Sequence, residues 1–109
     1  MTVKLIDYKS DSISRGCVFR FPAVWPYEKV LDLLVVNIPD DYSRHGLVVS
    51  TGHKAGLLLI QLPKESEYTD KVALKKEWII SNWNKWIYPE CDVNDVYIME
   101  HYSPPLAIK

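Results

Sequence analysis

The stretch from Val72 to Tyr88 constrains the fold most, because it carries three of the four tryptophans in the chain. On a helical wheel of about 100° per residue, Trp86, Ile79, Val72, Trp83, Ile87, Ile80 and Ala73 share one broad face interrupted by Lys76. That pattern predicts an amphipathic helix lying over a core. Thr69 and Asp70 offer cap oxygens and negative charge at its start, and Pro89 stops it at Tyr88. Leu74 and Trp78 break the pattern. They fall on the far side of the wheel, where polar side chains are expected, and Trp78 in particular is either covered by a loop or offered to a partner.

A helix of this kind needs a sheet. Val3 to Asp7 alternates as a short peripheral strand, Lys9 to Arg15 reads as a polar loop, and Cys17, Phe19 and Phe21 alternate as a half-buried strand ended by Pro22. Pro22 to Tyr27 holds two prolines and cannot serve as a central strand, so it is expected to run over the surface with Trp25 laid on an edge of the core. Leu31 to Ile38, Leu47 to Thr51 and Leu57 to Leu62 suit an antiparallel meander, with Gly52-His53-Lys54-Ala55-Gly56 as its second turn. Leu57 to Leu62 is apolar on both faces, which predicts a central strand. Val96 to Tyr102 supplies the last strand before Pro104-Pro105. The expected fold is α+β: a five- or six-stranded, mainly antiparallel sheet with one long helix packed on one face. Residues 1–109 are expected to form one domain. One helix covers one face, so the other must be closed by the Trp25 segment, the tail or another chain.

Chemistry is harder to find. A net charge of −1 gives no overall field to draw the chain to nucleic acid or an anionic membrane. Lys71, Lys75, Lys76 and Lys85 make no one-sided basic stripe with stacking aromatics. Cys17 and Cys91 form no Cys-x-x-Cys, no histidine stands at metal spacing, and no cofactor is expected. Two such thiols are expected to be buried and reduced, although pairing geometry cannot be read from sequence. The Gly52–Gly56 loop lacks the Gly-Lys-Ser/Thr ending and the following helix of a phosphate loop. His45 and His53 fall in turns, where surface histidines are expected, and Asp40-Asp41 and Asp92/Asp95 are explained by turn and cap roles. The N-terminus has no long apolar signal-type region and no run of 18 apolar residues occurs, so the cytoplasm is the expected location. Charge is uneven in one place: residues 89–109 hold Glu90, Asp92, Asp95 and Glu100 against Lys109. Either a solvated edge or a docking patch for a basic partner fits that run.

At Glu77-Trp78-Ile79-Ile80-Ser81-Asn82-Trp83-Asn84-Lys85-Trp86-Ile87-Tyr88-Pro89-Glu90-Cys91 the chain resembles bacterial immunity proteins of polymorphic toxin systems, and within them the immunity protein 45 family. Gly46 to Leu57, Leu62-Pro63-Lys64-Glu65 and the Asp95-Val96-Tyr97-Ile98 strand look like the same family, so the resemblance spans roughly residues 25 to 102. These are packing and turn residues, which mark a lineage more than a mechanism. The resemblance implies binding without catalysis: a partner of the C-terminal domain of a secreted or contact-delivered toxin, which it neutralises inside the producing cell. Many such toxins are nucleases with basic clefts. Acid beside aromatic would suit such a cleft, which makes Asp40, Asp41 and Tyr42, with Glu90, Asp92 and Asp95, the candidate contacts, and Trp78 with Leu74 the next place to look. Two other readings stay open. One is a small enzyme using His45 or His53 with Cys17 or a carboxylate; the other is a structural subunit dimerising through its uncovered sheet face.

Overall fold

The computed structural model describes residues 2–39, 44–103 and 107. Strands β1 (Thr2–Lys4), β3 (Val18–Pro22), β4 (Val30–Asn37), β5 (His45–Val49), β6 (Leu58–Gln61) and β8 (Tyr97–Met99) form a six-stranded sheet. Its order is β1-β8-β3-β4-β5-β6, and every neighbouring pair is antiparallel. β2 (Ser12–Ile13) and β7 (Leu74–Lys75) make a second, two-stranded sheet, and the helix α1 (Lys76–Asn82) follows β7 directly. The α+β architecture is as expected, but the helix is short.

Period-two alternation explains how the large sheet divides its faces. Register places Phe19 opposite Leu33, Phe21 opposite Leu31, Leu33 opposite Val49 and Val35 opposite Leu47. These residues, with Ile98 on β8, are all buried on the face that α1 covers. Trp83, at the end of α1, is fully enclosed against them. Its ring meets Phe19 and Phe21 edge-to-face, at centroid distances of 5.6 and 5.0 Å.

The helix begins four residues later than its apolar stripe, because tertiary pairing overrides periodicity at its start. Ser12–Ile13, inside the expected polar loop, pairs with Lys75 and Leu74, and fully buries Ile13. The amide of Lys76 then donates to the carbonyl of Asp11 (2.9 Å) and its Nζ to the carbonyl of Tyr8 (2.7 Å). Val72, expected on the core face, is 56% exposed, and neither Thr69 nor Asp70 caps the helix, whose N-cap is Lys75. At the other end Trp83–Ile87 winds as a π-turn, closed by the amide of Tyr88 donating to the carbonyl of Trp83 (2.9 Å). The wider turn rotates everything after Trp83. Ile87 and Tyr88 turn inward, while Trp86, expected in the core, is 39% exposed.

Three other expectations are corrected. The first strand stops at Lys4, and Leu5–Asp7 winds into a 3-10 turn that buries Leu5. The apolar run at 57–62 is an edge strand rather than a central one, with Leu57 and Leu58 more than half exposed. Trp25 does not lie on the core edge: it is 89% exposed. The second sheet face is instead touched by the C-terminal segment. Tyr102 Oη donates to the buried Asp32 carboxylate (2.7 Å), which also receives a bidentate pair from Arg20 (2.7 and 2.8 Å) on the neighbouring strand.

The meander turn behaves as expected, with Gly52 and Gly56 at φ +74° and +100°. A different glycine matters for packing. A Cβ on Gly46 would stand 2.5 Å from Ile38 Cδ1 and 3.1 Å from the carbonyl oxygen of Ile60. Gly46→Ala is therefore expected to overpack the β5–β6 junction and cost about 1–3 kcal/mol, read as a lower urea midpoint at an unchanged m-value.

Candidate functional site

The sequence-derived candidates separate into three groups. Asp40, Asp41 and Tyr42 lie outside the described residues. Arg44 donates its amide to Glu67 Oε2 (2.7 Å) and its guanidinium to the carbonyl of Tyr68 (2.9 Å), and His45 Nδ1 meets the same Glu67 oxygen at 2.6 Å. Both His45 and Glu67 are buried. Burial pushes the Glu67 carboxyl upward, but the bonds from His45 and the Arg44 amide, with the charges beside them, outweigh it and hold the group below the usual carboxylate range. The sequence reading missed this pair. His45 reads there as a turn residue, yet it opens β5 and its Nε2 is enclosed with no hydrogen-bond partner among the described residues. The enclosed imidazole is a structural partner of the Glu67 carboxylate.

The second group follows the helix. Glu90, Asp92 and Asp95 are all exposed. Asp92 also has a local task, since its carboxylate accepts from the amide of Asn94 (2.8 Å) at the start of the 3-10 turn Val93–Asp95. Buried Cys91 sits among these acids. Burial first, and then the charges of Asp95 and Asp92, push its thiol up, so it stays protonated at neutral pH. Cys17 is likewise buried with its thiol pushed up, chiefly by desolvation.

The third group is the outer helix face. Leu74 is fully buried, because it belongs to β7 and not to a helix, so it offers nothing to a partner. Trp78 is half-buried. Its ring lies 5.8 Å from that of Trp86, tilted by 55°. The two indoles make one partly exposed aromatic pair that the wheel had split between opposite faces. No signal in the sequence marks the π-turn that brings them together.

His53 is exposed, with Nδ1 2.8 Å from the Glu28 carboxylate, and that bond draws the Glu28 carboxyl below its usual range. Among the described residues, no group of three or more His, Cys, Asp or Glu side chains is arranged to hold a metal ion, and no helix is long and apolar enough to cross a membrane.

Comparison with known proteins adds one finding to this geometry. A family described as immunity protein 45 matches residues 5–98. No curated protein and no solved structure matches the chain.

Proposed function

The chain belongs to the immunity protein 45 family, and from that premise we propose that it binds and neutralises the C-terminal domain of a cognate bacterial toxin in the cytoplasm of the producing cell. It acts by binding and not by catalysis, and the toxin domain is a nuclease with a basic cleft. The observation that carries this reading is the company kept between residues 78 and 95. There the half-exposed indoles of Trp78 and Trp86 precede the exposed carboxylates of Glu90, Asp92 and Asp95. Acid steers a basic partner inward, and desolvated aromatic surface holds it. In the sequence, Asp40, Asp41 and Tyr42 repeat the same combination of acid and aromatic.

The test is kinetic binding to the purified toxin domain encoded beside this protein, at two salt concentrations. Reversing charge at Asp40 and Asp41, or at Glu90 and Asp95, should lower the association rate about tenfold at low salt and flatten its salt dependence. Tyr42→Ala should mainly raise the dissociation rate. Rates unchanged in all of these variants, with the fold intact, would remove both patches from the interface.

A further inference from the structure

The largest apolar side chain left in water is not in any of these patches. Trp25 is 89% exposed, and its neighbour Val24 and the strand residue Val30 are both about half exposed. An indole can reach solvent simply because its loop is loose. This loop is tied down. Its ends are joined by the amide of Ala23 donating to the carbonyl of Lys29 (2.9 Å), and its middle by the amide of Tyr27 donating to the carbonyl of Val24 (3.0 Å). On one side the amide of Val24 donates to Tyr88 Oη (2.9 Å). On the other, the Glu28 carboxylate accepts from the His53 backbone amide (3.3 Å) and faces its Nδ1. Tyr27 also packs edge-to-face on Tyr88, whose ring lies 5.0 Å from Phe21 in the core. A chain of aromatic contacts thus runs from the core to the base of the loop and stops short of Trp25.

We infer that Trp25 is a preformed anchor for the toxin domain, inserting into an apolar pocket whose rim is basic. Tryptophan is the side chain most enriched among residues that dominate binding energy, and a rigid mount means little ordering entropy is lost when it docks. The rim chemistry follows from position. Tyr88, which holds the loop at Val24, is followed in the chain by the exposed carboxylates of Glu90, Asp92 and Asp95. A partner basic enough to be drawn to those carboxylates suits a pocket with a basic rim. A second copy of this chain is the poorer occupant. A groove of about 290 Å3 on this chain is lined by Val3 and Tyr8 but also by the charged Asp7, Lys9 and Glu100, a poorer seat for an indole than an apolar pocket. This inference rests on the toxin-binding reading and names an anchor within it.

The experiment compares wild type, Trp25→Ala and Trp25→Phe in binding to the adjacent-gene toxin domain, with thermal unfolding and sedimentation of each free protein. Because the indole makes so little contact with its own chain, both variants should unfold at the wild-type temperature. Trp25→Ala should bind at least about 30-fold more weakly, almost all of it in the dissociation rate, and Trp25→Phe should fall between. Wild-type binding with no loss in Trp25→Ala would overturn the anchor and leave the toxin reading standing. A self-association of wild type that Trp25→Ala abolishes would assign the loop to a second copy and overturn it as well. Failure of wild type to bind or to protect against that toxin domain would overturn both readings together.

Discussion

Replacing Trp83 by alanine is expected to remove about 3–5 kcal/mol of stability, the range for deleting a large enclosed aromatic ring. The residue is fully buried, and two phenylalanines on β3 present their faces or edges to it, so the vacated volume is bounded by rigid rings that cannot collapse inward. Trp83→Phe should cost clearly less. It keeps much of the apolar contact and deletes an indole Nε1 that has no acceptor among the described residues. Urea unfolding of the three proteins decides the matter. A loss below about 1 kcal/mol for the alanine variant would mean that Trp83 is not the centre of the helix–sheet contact.

The second large effect is expected at Glu67. Its carboxylate is enclosed with His45 and takes the Arg44 amide, and Arg44 Nε stands 3.5 Å away. Glu67→Ala leaves those donors facing an empty site and should cost about 3–5 kcal/mol, as removal of one partner from a buried pair does. Acid should act in the same direction. Because the folded-state pKa is lowered, the contribution of Glu67 is complete above the ordinary carboxylate value and falls away as the pH drops through the folded-state value. In the window between the two, the unfolded chain binds the proton and the folded one does not, so wild type loses stability on acidification. Glu67→Gln should show a flatter profile across that window. Equal slopes for wild type and Glu67→Gln would show that another group carries the acid sensitivity.

Where the chain follows a simple period, the fold is legible in its residues. Phe19 and Phe21, Leu31, Leu33 and Val35, and the Gly52–Gly56 turn all take the positions that alternation and turn chemistry assign. The errors arise where a long-range contact competes with local pattern. Val72–Lys75 has helical spacing, yet Ile13 needs a partner, and one cross-strand pairing makes Leu74–Lys75 the strand β7. The wider turn at Trp83 then leaves Trp86 outside and Tyr88 inside, while Ile87 keeps its core position. The same limits apply to the site. Glu90, Asp92 and Asp95 are legible as exposed because acids after a helix have nothing in the core to satisfy. Trp25 is not, because composition treats a tryptophan as core until its loop is seen to be fastened away from it. The Glu67–His45 pair lies beyond reach for another reason: it joins residues distant in the chain with no motif connecting them.

The position of β8 between β1 and β3 has a consequence for how the protein comes into being. Ribosomes add about 5–20 residues per second, in order, so β3 and the meander emerge several seconds before the strand that fills the slot beside them. β4 can pair with β3, β5 with β4 and β6 with β5 as each arrives, since they are contiguous in sequence. β1 has no such option: among the described residues it pairs with β8 alone. During that interval the nascent chain carries β3 as a bare edge, a template open to any passing strand until Tyr97–Met99 closes it. Ribosomes paused before that point would hold chains whose meander is complete but whose sheet is still split, with β1 waiting for β8 to join it to the rest.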